Sequence, residues 1–252
     1  MQAGSTWTAS TLTSIQFCDL VRNSATNSST LYACTRENSS RFFRSTDFGS
    51  TWTQITSGIT TAVNFIQAGG RIGVTPADPN VVYFEAIGGG GILHKSTDGG
   101  TTFTVTKPEG NGTVALPYIT FYDYNNNNGL GGQGNYNNCM WVDVNNPSKV
   151  WIQSHNTWLS TDAGATWTEI THWVTKIHTD MHQIEQSPFD STKLFSCNDG
   201  GVWLSTDGGN NWTPKCNGFY SYEIGNGCGK SSHTKREYII IGTQDNARLY
   251  RK

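Results

Sequence analysis

Charge is the first thing this sequence has little of. Only 14% of its 252 residues are Asp, Glu, Lys or Arg, against roughly a quarter in an average soluble chain. The 17 Lys and Arg face 19 Asp and Glu, a net charge of −2, and the sequence pI is near 6.3. There is no basic excess to neutralise a polyphosphate, which argues against a nucleic-acid partner. No apolar run approaches the roughly 18 residues of a membrane-spanning helix, so no membrane span is expected. The opening, Met1 to Thr8, is too polar for a secretory leader; for an exported product, the expectation is that such a segment was removed or lies outside this sequence. The six cysteines form no C-x-x-C pair. Their even number permits three disulfides, and sequence alone leaves the connectivity open. Cys18 and Cys34 fall in the successive strand-like runs Ser14–Leu20 and Thr30–Thr35, so a cross-strand pair is feasible; buried free thiols are the alternative.

What replaces charge is Gly (28 residues), Ser, Thr and Asn, together with nine Trp and an aromatic content of 12%. So many aromatics argue against disorder. Turn formers interleaved with aromatics predict an all-β chain of short strands.

Internal repetition organises the whole sequence. The segment Ser45-Thr46-Asp47-Phe48-Gly49-Ser50-Thr51-Trp52 returns at Ser96–Phe103, Ser160–Trp167 and Ser205–Trp212, after steps of 51, 64 and 45 residues. A damaged fifth copy opens the chain as Gln2-Ala3-Gly4-Ser5-Thr6-Trp7. The motif resembles the Asp-box, S-x-D-x-G-x-T-W, of sialidase-type and related β-propellers. Its chemistry is that of a hairpin turn. The Asp carboxylate accepts hydrogen bonds from the turn's own amides, Gly supplies a positive φ, and the Trp returns to pack between sheets. The box is therefore expected to be a folding device.

Each box follows a short strand: Arg41–Arg44, Ile92–Lys95, Thr157–Leu159 and Val202–Leu204. Two further strands precede it, as in Met140–Val144 with Val150–Ser154 and His182–Gln186 with Leu194–Cys197, and one follows, as in Thr166–Ile170. Four antiparallel strands in such a period make one propeller blade. The chain ends on Arg248–Lys252, which reads as a strand before a box, and begins on a strand that follows one. Joined, the ends complete a fifth unit. The expected fold is all-β: one propeller domain over residues 1–252, made of four-stranded antiparallel blades with Asp-box hairpins and closed by both termini into five blades. The alternative is a fragment of a larger ring.

The stretch from Lys107 to Cys139 breaks the rhythm. It carries Tyr122, Tyr124, an Asn run and Gly129-Leu130-Gly131-Gly132-Gln133-Gly134. Long loops in compact folds are often functional. The glycines are not a phosphate loop, because no Lys-Ser/Thr follows them.

Three places offer chemistry. His178, Asp180 and His182 share one face if their segment is a strand; such a trio suits a divalent metal ion or proton transfer. Asn198-Asp199-Gly200-Gly201 and Gly242-Thr243-Gln244-Asp245-Asn246 occupy equivalent loops of successive units. That spacing places Asp180, Asp199 and Asp245 near one end of the central channel, where a pair of carboxylates suits glycoside hydrolysis. Tyr122, Tyr124, Tyr136, Trp141 and Trp173 are candidate sugar-stacking faces, with packing between blades as their structural alternative.

Gly132-Gln133-Gly134, Trp158–Asp162, His178–His182, Asn198–Gly201 and Gly242–Asn246 carry a closer resemblance. Residues 132–252 look like the propellers of secreted sortilin-like and xyloglucanase-like proteins. The resemblance implies that Asp199 stands where xyloglucanases place a catalytic Asp before Gly-Gly, although those enzymes have Asp-Ile/Val-Gly-Gly. Those enzymes are built of two larger propellers with a cleft between them, a cleft that a lone five-bladed ring lacks. A sialidase is a poorer match, because the Arg-Ile-Pro motif of sialidases is absent. The leading expectation is an extracellular, secreted propeller that recognises a carbohydrate or protein ligand. The alternatives are a glycoside hydrolase using Asp199 with Asp180 or Asp245, and a structural or protein-interaction propeller.

Overall fold

The computed structural model describes residues 12, 15–37, 40–60, 69–87, 91–108, 110, 134, 136–172 and 175–216. For 224–233, 236–243 and 248–251 it describes the strand backbone. Four antiparallel sheets of four strands follow one another. The first holds β1 (Phe17–Arg22), β2 (Leu31–Thr35), β3 (Phe42–Ser45) and β4 (Thr53–Ile55). The second holds β5 (Gly70–Val74), β6 (Val82–Ala86), β7 (Ile92–Ser96) and β8 (Thr104–Lys107). The third holds β9 (Cys139–Val142), β10 (Val150–Gln153), β11 (Thr157–Ser160) and β12 (Thr168–Thr171). The fourth holds β13 (Met181–Gln186), β14 (Leu194–Asn198), β15 (Gly201–Ser205) and β16 (Thr213–Pro214). A three-stranded sheet follows, β17 (Ile224–His233), β18 (Arg236–Thr243) and β19 (Arg248–Arg251). The strand expected at Met1–Thr8, which would complete that sheet and close five blades, lies outside the described residues.

Each sheet runs in simple meander order, so every strand pairs with its sequence neighbours. First strands lie beside first strands: β1 meets β5, β5 meets β9, and β9 meets β13. This is the propeller arrangement, with the first strand of each blade innermost.

The core sits between blades. In β6, buried along its whole length, side chains alternate. Val82, Phe84 and Ala86 pack with Tyr32, Cys34 and Phe42 of the first blade, whereas Tyr83 packs with Met140, Val142 and Ile152 of the third. The third and fourth blades meet through Cys139, Trp151, Met181, Ile184, Leu194 and Trp212. A strand buried on both faces explains why β6 reads as an apolar run, broken by Glu85, rather than as a polar alternation.

The repeated turn joins the third strand of each blade to the fourth. In the first copy the Ser45 Oγ donates to Asp47 Oδ1 at 2.7 Å and accepts from the Gly49 amide at 2.9 Å. The Thr51 amide and hydroxyl both donate to the Asp47 carboxylate, at 2.8 and 2.6 Å. Those Thr51 bonds, with the Ser45 hydroxyl, hold the Asp47 carboxyl at about 2, below its usual range. The same bonds recur around Asp98, Asp162 and Asp207. The Trp indole of three copies then donates to the carbonyl of the turn's last Gly, as Trp52 does to Gly49 at 2.9 Å. Phe103 has no such donor and instead packs edge-on to Phe42, 4.9 Å between centroids.

Two consecutive residues of each turn adopt positive φ. Gly-Gly fills both places in the second and fourth copies, but Phe48 (φ 56°) and Ala163 (φ 63°) fill the first place in the other two. A side chain there is strained by about 1–2 kcal/mol. Phe48 is 65% exposed, with the Arg22 guanidinium 5.9 Å from its ring centroid. Little burial opposes the strain. Phe48→Gly is therefore expected to stabilise the chain by about 1 kcal/mol, read as a rise in the midpoint of urea unfolding at constant slope; a fall would contradict the strain argument.

Candidate functional site

The innermost strands of the four described blades enclose a cavity of about 400 Å³. Cys18 and Asp19 of β1, Arg71 of β5, Trp141 of β9 and His182 of β13 line it. Arg71 is the cation among these groups. Its Nε donates to the Asn138 carbonyl at 2.6 Å and its Nη1 to the Gly70 carbonyl at 2.9 Å. Asp19 accepts from the Ile72 amide at 2.8 Å. Burial raises its carboxyl, and the Ile72 bond and the Arg71 charge oppose that rise. The Trp141 indole bonds to Gln186 Oε1 at 3.3 Å, and the ring packs against the core between the third and fourth blades. Trp141 thus serves both packing and the cavity wall.

His178, Asp180 and His182 do not share one strand face. β13 begins only at Met181, and Asp180 takes a φ of 60°, which breaks the period of two. The Met181 amide is drawn instead to the Ser154 carbonyl at 3.0 Å. The three side chains consequently go to three sets of partners. His178 Nδ1 lies 3.1 Å from the Thr179 carbonyl. Asp180 Oδ1 accepts from Asn137 Nδ2 and lies 3.2 Å from Nε2 of the fully buried His155. His182 Nε2 lies 2.8 Å from Asp199 Oδ1. Among the described residues no group of three or more His, Cys, Asp or Glu is placed to hold a metal ion.

The Asn198–Gly201 loop is the two-residue turn between β14 and β15, with Asn198 paired to Gly201. Asn198 caps it, its Oδ1 accepting the Gly200 amide at 2.9 Å. Gly200 presses on His178: a Cβ there would lie 2.5 Å from that ring's own Cβ and Cγ. Gly201 needs its φ of 102°. With Asn198 serving the backbone, the Asp199 carboxylate reaches the His182 imidazole, and both side chains are about one-third exposed. Tyr136, 61% exposed, stands edge-on to His182 with centroids 5.3 Å apart. Asp199, His182 and Tyr136 therefore form a partly exposed constellation, and His182 extends it to the cavity wall. Asp245, Tyr122, Tyr124 and Trp173 lie outside the described residues.

No protein-family model matches the chain. A xyloglucanase from Hypocrea jecorina (strain QM6a) is 28% identical over 172 residues, 62% of this chain and 19% of that enzyme. Among solved structures, the GH74 enzyme of Niastella koreensis superposes with a TM-score of 0.53 at 19% identity, over 90% of this chain and 33% of that one. The GH74 xyloglucanase of Xanthomonas campestris gives 0.54 at 16%, over 92% and 34%. The chain is a β-propeller related to xyloglucanase-like proteins. It spans about one-fifth of the curated relative's length and about one-third of the solved enzymes'.

Sequence reading missed Arg71, His155, Asn137 and Glu85. The first three act through contacts between blades, which no local spacing reveals. Glu85 is fully buried on β6, cross-strand from Arg71 and, by the alternation of that strand, on the side of Tyr83. A charged residue inside an apolar run was the available signal. Burial pushes its carboxyl up to about 7, against the pull of Lys107 and Arg71. A carboxyl raised on folding stabilises fully below its unfolded value of 4.5 and loses that contribution as pH climbs through 7. That loss is about 3 kcal/mol across the interval. Glu85→Gln is expected to flatten the decline in urea-unfolding stability between pH 5 and pH 8; an unchanged slope would show that Glu85 is ionised in the folded chain throughout.

Proposed function

We propose that this propeller is a xyloglucanase-like glycoside hydrolase, extracellular, acting on a β-glucan carrying xylose branches. The observation that carries the reading is the Asp199 carboxylate, set on a two-residue hairpin turn and oriented by His182 at 2.8 Å, with the exposed Tyr136 ring beside it. The sequence relationship to a xyloglucanase supports the substrate class. Glycoside hydrolysis needs one carboxyl to protonate the leaving oxygen and a second to activate water or attack the sugar. Asp199 supplies one, on a rigid strand-to-strand connection that holds it in place. Asp180 or Asp245 supplies the other. Tyr136 offers an aromatic face to a pyranose ring, whose axial C–H bonds pack on such surfaces.

A glycan-binding module without hydrolysis is the second reading. The engagement of Asp180 by Asn137 and His155 favours it, since a carboxylate so held is less available for proton transfer.

Reducing-sugar release from xyloglucan, measured beside retention on xyloglucan-containing gels, separates the two. The hydrolase reading expects the chain to release sugar and Asp199→Asn to lower the rate by about a hundredfold or more while retention persists. Tyr136→Ala should weaken retention by roughly five- to tenfold, the worth of one aromatic face. Retention without hydrolysis in the unsubstituted chain would establish the binding module. Absence of both would overturn the carbohydrate reading.

A further inference from the structure

The mechanism above leaves unused a pair of cysteines on the first two strands. Cys18 stands in β1 at a bulge, the register with β2 slipping between Phe17 and Asp19. A bulge re-aims the extra side chain, and here the Sγ of Cys18 comes to 3.6 Å from that of Cys34 on β2. Both are free thiols. Cys34 is completely buried, whereas Cys18 lines the central cavity. The neighbouring blade completes the surroundings. The Gly70 amide donates to Cys18 Sγ at 3.2 Å, and Cys18 lies 3.4 Å from the Gly70 carbonyl. Any side chain at Gly70 would intrude: its Cβ would stand 2.8 Å from Cys34 Sγ. Gly70 is therefore the residue that gives two sulfurs room to sit together at the junction of two blades.

We propose that Cys18 and Cys34 form a thiol–disulfide exchange site that takes a small disulfide through the central cavity. Cys18 is the attacking thiolate and Cys34 the resolving thiol. Cys18 Sγ attacks one sulfur of the small disulfide, forms a mixed disulfide and expels one thiolate. Cys34 then gives up its proton to solvent and attacks Cys18 Sγ, forming the intramolecular disulfide and expelling the second thiolate. The two cysteines are oxidised and the small disulfide is reduced to two thiols, so electrons and atoms balance.

The geometry divides the roles. The Cys34 thiol and the Gly70 amide both stabilise a thiolate on Cys18, bringing it down to about 7, and Arg71 adds to this against the opposing effects of burial and Asp19. Burial holds Cys34 in its protonated form, well above the usual thiol range. A cavity-facing low-pKa thiol beside a buried partner is the arrangement of an attacking and a resolving cysteine. Closing the gap needs an approach of about 1.5 Å, to the roughly 2.05 Å of a covalent bond. The ring so closed ties β1 to β2 across 16 residues.

The test treats the fully reduced chain with 5,5′-dithiobis(2-nitrobenzoate), then with glutathione disulfide, at neutral pH. Release of the coloured thiolate is followed and the products are mapped by peptide mass spectrometry. The fastest phase should release two thiolates per chain and yield a Cys18–Cys34 linked peptide. It should outpace modification of the exposed Cys197 by about tenfold or more, and its rate should rise with pH around 7, as the Cys18 thiolate forms. Cys34→Ser should release one thiolate in that phase and retain a stable mixed disulfide on Cys18. Cys18→Ser should abolish the phase. Far-ultraviolet circular dichroism of each variant confirms that its sheets are intact. A stable mixed disulfide on Cys18 of the unsubstituted chain, with Cys34 still a thiol, would overturn the proposal. So would modification of Cys18 no faster than that of Cys197, or a linkage of Cys18 to another cysteine.

Discussion

The structure depends on one small network, the hydrogen bonds from side chain to backbone inside the Ser-Thr-Asp-x-Gly turn. A two-residue reversal with both φ values positive is costly for any chain made of L-residues. Here a serine hydroxyl and an aspartate carboxylate occupy the amides that the reversal would leave exposed, four times over. Once the turn is fixed, the third and fourth strands of the blade have their register. The aromatic residue after the turn is delivered to the space between blades, where Phe103, Trp167 and Trp212 are buried. Few charges are needed in such a scheme, because the specifying interactions are short-range and made within eight residues of sequence. The low charge content of the chain and its richness in Ser, Thr, Asn and Gly follow from that.

What was legible in the sequence is what the turn dictates locally. The repeats located four blades, and the meander of four strands per blade follows from their spacing. Strand ends were less legible because they depend on neighbours. The run Ser14–Leu20 was expected as a strand, yet β1 occupies Phe17–Arg22 and carries a bulge at Cys18 in its register with β2. The segment from His178 to His182 shows the same limit more sharply. Period-two spacing is informative only if the backbone is extended, and Asp180 is not. Its left-handed conformation accompanies contacts to Asn137 and His155, which lie more than twenty residues away in sequence. Asp199 was picked out on the Asn-Asp-Gly-Gly pattern, and the structure gives Asn198 the capping bond and Asp199 the contact to His182. Pattern therefore located the loop, and the division of labour within it needed three dimensions.

The candidate site and the repeated turns occupy different parts of each blade. The turns join the third strand of each blade to its fourth, and Cys18, Asp19, Arg71, Trp141 and His182, which line the cavity, lie on the innermost strands. The separation lets the inner strands depart from the repeat. Arg71 and Asp19 belong to no shared pattern and line the cavity, and Gly70 leaves room for the two cysteines beside it. Burial of Glu85 on β6 disfavours its ionised form, a cost set against the apolar packing between blades.

The turns also reach outward to their neighbours. The Tyr32 hydroxyl of the first blade donates to the Gly99 carbonyl in the turn of the second, and the Trp151 indole of the third donates to Gly208 in the turn of the fourth, both at 3.0 Å. Each such bond has its donor on one blade and its acceptor on the next. A blade is thus a unit of topology but not of cohesion. For recombination or engineering, a blade exchanged alone therefore meets new partners for its donors on one side and for its acceptors on the other. Donor and acceptor stand 67 and 57 residues apart in the two pairs, more than the 51- and 45-residue steps between the corresponding boxes, so no unit one blade long carries both, wherever it is cut.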